Sequence, residues 1–163
     1  MWVLVVSDSH GDRESIRQAA LEMQEDGRLP GAAIHLGDGA SEFHSLEGFF
    51  RRLNPAIRLY QVRGNCDSLY DDTVPEAQKI TLDGTPIFLT HGHLWGVKMS
   101  FLPLDTESAG QGCCLTLFGH THMACMENRS TVMINPGSIG TGQYAALEVN
   151  GGLRHVNLMS LRR

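Results

Sequence analysis

Apolar residues fall in short runs along this chain, and most runs stop at a polar loop. Trp2–Val6 is a valine-rich stretch of strand length that meets Ser7-Asp8-Ser9-His10-Gly11-Asp12. Asp12 is placed to cap a following helix, with Glu14 in its first turn. Ile16, Ala19, Ala20 and Met23 recur at helical spacing, and Gly27 and Pro30 stop the element. A second strand fits 32–36, followed by Gly37-Asp38-Gly39. A helix fits 45–53 and ends before Pro55. A third strand fits 57–62 and runs into Arg63-Gly64-Asn65-Cys66-Asp67. Three strands with two intervening helices make a βαβαβ unit, which predicts a parallel sheet with ligands at the carboxyl ends of its strands.

The second half reads differently. Residues 79–82 and 86–90 flank Asp83-Gly84, a strong hairpin signal. The second of these strands ends in His91-Gly92-His93. Residues 97–112 hold one short helix at most, because Pro103 and two glycines blur the period. A strand over 113–118 ends in Gly119-His120-Thr121-His122, and one over 131–134 precedes Asn135-Pro136-Gly137-Ser138. Residues 144–149 and 153–158 form a closing hairpin around Gly151-Gly152. No repeat, low-complexity tract or linker divides the chain, so a single domain over 1–163 is expected.

Charge narrows the function classes. The formal net charge is −5 and the pI about 5.9, which argues against a protein that coats nucleic acid or an anionic membrane. No basic stripe interleaved with aromatics suggests a nuclease. No apolar run is long enough to span a bilayer, and the first run lacks the basic flank and cleavage site of a leader. Cys66, Cys113, Cys114 and Cys125 show no recurring metal spacing, so reduced thiols in a cytoplasm are expected.

The candidate chemistry lies where the strands end. Asp8 and His10 follow the first strand, Asp38 the second and Asn65 the third. His91 follows a later strand, and His120 and His122 another. Any one of these has a bland reading as a cap or turn residue. Seven metal-capable side chains at strand exits instead predict one cluster. Imidazole with carboxylate suits Mn, Fe, Co, Ni or Zn better than Mg alone, and seven ligands fit two ions rather than one. Asp67 fits either a carboxylate that orients a metal-ligating His or a cap on the next turn. His35 inside a strand and the distant His155 read as structural or surface residues, and Asn135-Pro136-Gly137-Ser138 as a structural turn near the site.

Asp8-x-His10, Gly37-Asp38, Gly64-Asn65-Cys66-Asp67, His91-Gly92-His93 and Gly119-His120-x-His122 together resemble the calcineurin-like metallophosphoesterase superfamily. The short chain and the Gly-Asn-Cys-Asp form resemble its small YfcE-like phosphodiesterase branch. The resemblance implies an α/β fold, a four-layer αββα sandwich of two mixed sheets with flanking helices. It implies that Asp8, His10 and His122 hold one divalent ion, that Asn65, His91 and His120 hold a second, and that Asp38 bridges them. Mn²⁺ is the expected ion, with Ni²⁺, Zn²⁺, Fe²⁺, Co²⁺ or Mg²⁺ as alternatives. Two ions, two carboxylates and a bridging hydroxide leave about one positive charge to meet a phosphate ester. The implied mechanism is in-line attack of that hydroxide on phosphorus.

Asp38, Asn65 and His93 are the residues expected to act in catalysis, His93 through the leaving group or substrate. Cys66 departs from the superfamily, most of which has His there. A thiol replaces an imidazolium poorly, so weaker catalysis on poor leaving groups is expected. A small phosphodiester is the expected substrate. A phosphomonoesterase and a protein-binding scaffold like the retromer subunit of this fold are the alternatives. Small members of the branch pair or tetramerise, so a homodimer or homotetramer is expected. The stretch after His93 is expected to wall the substrate pocket.

Overall fold

The computed structural model describes residues 1–68 and 73–162. In chain order, β1 (Trp2–Val6) leads into α1 (Arg13–Glu25), and β2 (Pro30–His35) into α2 (Ala40–Ser45) and α3 (Glu47–Leu53). Next come β3 (Arg58–Gln61), β4 (Ala77–Leu82), β5 (Thr85–Thr90) and α4 (Leu102–Gly110). The chain closes with β6 (Leu115–Leu117), β7 (Cys125–Asn128), β8 (Val132–Asn135), β9 (Gln143–Val149) and β10 (Leu153–Ser160).

Two five-stranded sheets form, in the orders β10-β9-β1-β2-β3 and β4-β5-β6-β8-β7. Both are mixed. β1 pairs parallel to β2 and β2 to β3, while β9 runs antiparallel to β1 and to β10. In the other sheet β5, β6 and β8 run parallel, and β4 and β7 are antiparallel edges.

Strand alternation builds the layers. Val3 and Val5 join Ile34, Leu89, Leu117 and Ile134 in the core between the sheets. Their neighbours Leu4 and Val6 point the other way, onto Ile16, Ala20 and Met23 of α1 and Phe50 of α3. On the outer face of the second sheet, Phe88, Phe118 and Met133 pack with Leu104 of α4. The result is the four-layer αββα sandwich that the motifs imply. The carboxyl ends of β1, β2 and β3 in one sheet, and of β5 and β6 in the other, carry the motif loops.

The structure differs from the sequence reading in a few places. The helix expected at 45–53 begins at Ala40 and breaks into α2 and α3. The Gly39 side of α2 has no local cap; Asp67 supplies one from 27 or 28 residues away, accepting from Gly39 N and Ala40 N. β7 was not expected, because Cys-Met-Glu-Asn is short and lacks a β-branched run. Only Leu115–Leu117 of the 113–118 stretch pairs as strand. Asp12 does cap α1, accepting from Ser15 N at 3.0 Å and Ser15 Oγ at 2.7 Å.

Candidate metal centre

Five of the candidate residues share an unusual backbone. Asp8, His10, Asp38, His120 and His122 have φ of 55°, 44°, 56°, 69° and 58°. L residues avoid this left-handed region, at a cost of about 1–3 kcal/mol each. Among the described residues, the one other non-glycine with positive φ is Asp83, in the hairpin turn where such a φ is required. The strain turns short side chains just past the ends of β1, β2 and β6 toward one point.

The distances show the convergence. His122 Nε2 lies 3.1 Å from Asp8 Oδ1 and 3.4 Å from His10 Nε2. His10 Nε2 is 3.8 Å from Asp8 Oδ1 and 3.9 Å from Asp38 Oδ2. His91 Nε2 is 3.3 Å from Asp38 Oδ2 and 3.8 Å from Asp8 Oδ1. Three donor sets have ligand atoms mutually within 4.8 Å: Asp8, His10 and His122; Asp8, Asp38 and His91; and His10, Asp38 and Cys66. Asp8 belongs to the first two sets and Asp38 to the last two, so both carboxylates link groups. His120 stands in the next rank, its ring 5.0 Å from that of His91. His93 lies 5.4 Å from the His91 ring and 6.1 Å from the His120 ring. Asn65 is an exposed residue at the rim whose Nδ2 donates to Cys66 Sγ at 3.5 Å.

Hydrogen bonding leaves particular atoms bare. Asp8 Oδ2 accepts from Ser7 Oγ at 2.6 Å and from His120 N at 3.2 Å. Asp8 Oδ1 is buried and accepts no hydrogen bond, with the Nε2 atoms of His122, His10 and His91 facing it at 3.1–3.8 Å. His91 Nδ1 donates to Leu36 O at 2.7 Å, which leaves the Nε2 lone pair free, and that atom is also buried without a partner. A lone pair facing a carboxylate oxygen in a buried site calls for positive charge. Burial disfavours the His91 imidazolium, but the Asp38 carboxylate 3.3 Å away and the charge of Asp8 outweigh it and raise its pKa. Burial also works against the Asp38 carboxylate. The neighbouring His91 ring and the hydrogen bond from Cys66 N at 2.8 Å outweigh it and hold that carboxyl well below the usual range. A divalent cation bound by oxygen and nitrogen meets this demand, so the residues fit such an ion.

The sequence model of the calcineurin-like phosphoesterase superfamily domain matches residues 1–152. The chain belongs to this superfamily. It is 36% identical over 141 residues to the probable metallophosphoesterase YsnB of Bacillus subtilis, covering 85% of this chain and 75% of that one. It is 38% identical over 97 residues to the phosphodiesterase YfcE of Escherichia coli K12, covering 54% of this chain and 48% of that one. A conserved protein of Streptococcus pneumoniae TIGR4, described as a predicted phosphoesterase, superposes with a TM-score of 0.71 at 27% identity, over 98% of this chain and 88% of that one. Vps29 of Entamoeba histolytica, solved with zinc, shares the fold with a TM-score of 0.68 at 21% identity, over 99% and 100% of the two chains.

In this phosphoesterase domain the loops are locked by groups behind the donor atoms. Asp67 is a backbone clamp. Its Oδ2 accepts from Asp38 N and Gly64 N, both at 2.8 Å, and its Oδ1 from Gly39 N at 2.9 Å and Ala40 N at 3.1 Å. One carboxylate thus ties the Asp38 loop to the Asn65 loop and caps α2. Asn135 does similar work for the histidine loop, donating to Gly119 O and Thr121 Oγ1, both at 2.9 Å. Ser138 Oγ donates to Asp8 O at 2.9 Å. The Asn135-Pro136-Gly137-Ser138 turn is therefore structural and beside the site.

Two glycines of the motifs are explained by close approach. A Cβ on Gly64 would collide with the Asp38 carboxylate and backbone, and one on Gly119 with Ser7 Oγ. His35 is fully buried and pushed down to about 4 by that burial. Its Nδ1 accepts from Gly37 N at 3.1 Å, so its Nε2–H donates to Ser9 Oγ at 3.0 Å. The ring is neutral scaffolding behind Asp38. His155 is a surface residue 3.5 Å from Glu148.

A cleft of about 230 Å³ opens against His10, Asp38 and Cys66, with Glu42 and Arg63 in its wall. Arg63 pairs with Glu76 at 2.9 Å, so its charge is already engaged. Glu42 Oε2 is buried without a hydrogen-bond partner. Neither the Glu42 oxygen nor the Asp67 clamp was legible in the sequence. Trp95 packs edge-on against Phe88 with centroids 5.8 Å apart.

Proposed function

We propose that the chain is a phosphodiesterase that hydrolyses small phosphodiesters with a pair of divalent ions. The observation that carries this reading is the facing pair of buried, unpartnered atoms, Asp8 Oδ1 and His91 Nε2, at 3.8 Å. Asp8, His10 and His122 would hold one ion, Asn65, His91 and His120 the other, and Asp38 would bridge. Mn²⁺ is the ion we favour, since the donors are carboxylate and imidazole rather than thiolate. When bound, two such ions supply positive charge for the phosphoryl oxygens and acidify water at neutral pH.

The chain's own residues do the rest. Asp67 and the Leu36 carbonyl fix the donors before substrate arrives, so little reorganisation accompanies the reaction. Asn65, at the rim, has an amide for a phosphoryl oxygen. Burial and the neighbouring His91 lower the pKa of His93, so its ring is neutral at pH 7 and offers a hydrogen bond to a departing or incoming ester group. Cys66 is no ready acid or nucleophile, because burial and the Asp38 charge raise the pKa of its thiol. We place the protein in the cytoplasm, where its four free thiols stay reduced, as a homodimer or homotetramer. No helix among the described residues is long and apolar enough to cross a membrane.

Hydrolysis of bis(4-nitrophenyl) phosphate and 4-nitrophenyl phosphate by metal-stripped protein, with single ions added back, tests this. Metal-dependent diester turnover that disappears in Asp38→Asn is expected. Faster monoester turnover would replace the reading with a phosphomonoesterase. The shared fold with Vps29 supports a scaffold as the second reading. Two bound ions with no turnover of either ester would favour it.

A further inference from the structure

Five of the eight large hydrophobic side chains exposed among the described residues lie on two stretches that flank the metal centre. Leu94, Met99 and Leu102 follow the His91 and His93 turn, and Met123 and Met126 follow His120 and His122. Met99 is 92% exposed and Met123 71%, far more than packing would leave. Between the stretches runs a groove of about 620 Å³, walled on one side by Val97, Met99 and Phe101 and on the other by Met123, Ala124 and Cys125. Exposed apolar surface of this kind marks a ligand groove or an interface, and methionine adapts to varied apolar shapes.

The groove borders the metal centre. Thr121, between His120 and His122, is part of its wall. Val97 packs against Gly92, the residue after His91. Lys98, also in the wall, lies near enough for its charge to act on the His120 imidazole. Its ammonium has no hydrogen-bond or ion-pair partner among the described residues, which suits an anion arriving at the junction. The cleft on the His10 and Cys66 side is unlike the groove. It is smaller and less apolar, and it holds the unpartnered Glu42 oxygen.

A phosphodiester has two ester substituents, and the centre has two unlike recesses beside it. We propose that the groove binds an apolar, aryl-sized substituent of the diester, with Met99 and Met123 as the specificity-determining contacts. The smaller, hydroxyl-bearing substituent then lies in the cleft, where Glu42 accepts from it. The assignment rests on the phosphodiesterase reading and adds the substrate class: diesters with one apolar and one small polar arm.

Two measurements test it. The first uses protein labelled with methyl-¹³C methionine and loaded with diamagnetic Zn²⁺. Two non-hydrolysable anions are compared, methyl(2-naphthylmethyl)phosphinate and dimethylphosphinate. The naphthyl ligand is expected to shift the Met99 and Met123 methyl signals and leave buried Met23 and Met133 unmoved. It should bind about tenfold more tightly than dimethylphosphinate. The second compares kcat/KM, followed by ³¹P NMR, for 2-naphthylmethyl 2-hydroxyethyl phosphate and methyl 2-hydroxyethyl phosphate, which share the small hydroxyl-bearing arm and differ only in the apolar one. A preference of about tenfold or more for the naphthyl ester should fall to about twofold in the Met99→Ser/Met123→Ser variant, once unchanged melting shows it folded.

Equal turnover of the two diesters, with still Met99 and Met123 signals, would overturn the groove assignment and leave the phosphodiesterase reading intact. Shifted Met99 and Met123 signals without hydrolysis of either diester would uphold the groove as an apolar site and overturn the activity. Signals that move with protein concentration alone would give this face to a second copy of the chain and overturn the proposal.

Discussion

Asp8 and Asp105 are both buried aspartates, and they serve opposite ends of the strands. Asp105, on α4, is packed against the amino end of β8. Its Oδ1 accepts from Thr131 N at 2.8 Å and Thr131 Oγ1 at 2.9 Å, and its Oδ2 from Ser130 N at 3.2 Å. Burial opposes its ionisation, but these bonds outweigh it and lower its pKa. Every oxygen is used. Asp8, past the carboxyl end of β1, uses one oxygen and leaves the other bare before three imidazoles. Its backbone is strained as well, at φ 55°. A buried carboxylate whose bonds are complete is scaffold. One held half-complete among lone pairs is a seat for a cation.

The contrast breaks most visibly at Asp8. Asp8→Asn should lower diester turnover by more than about 100-fold and abolish tight ion binding, since even groups behind the ligands cost about 10–100-fold. Melting of the metal-free protein should change little, because an amide oxygen still accepts from Ser7 and His120. Asp105→Ala should do the reverse. It strands buried donors and should cost about 3 kcal/mol of stability in urea unfolding, with ion affinity unchanged.

Asp67→Asn loosens the site from behind. Two of the four backbone donors lose their acceptor, and ion affinity measured calorimetrically should fall about 10–100-fold. The smallest effect is a pH dependence. His35 is neutral in the fold with its pKa lowered to about 4, whereas the unfolded chain binds that proton below its usual value near 6.5. The unfolded state therefore gains protons first as pH falls, and stability drops from about pH 6.5 toward 4. Metal-free protein should lose about 1 kcal/mol from this residue between pH 7 and 5.5, and His35→Gln should flatten that slope.

Much of this was legible in the chain because local chemistry decides it. The Trp2–Val6 strand, the Asp12 cap and the Asp83-Gly84 hairpin need nothing from afar. The clustering of Asp8, His10, Asp38, His91 and His122 was also legible, because polar residues after apolar strands have one place to meet. What was hidden depends on long-range partners. α2 starts at Ala40 through a carboxylate beyond β3, and β7 exists because β8 offers it an edge. The strained φ values of Asp8, His10, Asp38, His120 and His122 leave no mark in composition, although their glycine neighbours do. In sequence Asp67 fits a ligand-orienting carboxylate or a cap for the next turn, and the structure makes it a cap for α2.

The bare atoms at the strand ends are proposed to seat two ions. Titration of metal-stripped protein with Mn²⁺, followed by calorimetry and by metal analysis after gel filtration, tests it directly. Two ions per chain in the unaltered protein and at most one in Asp38→Asn are the predicted result. One ion or none in the unaltered protein would contradict the account.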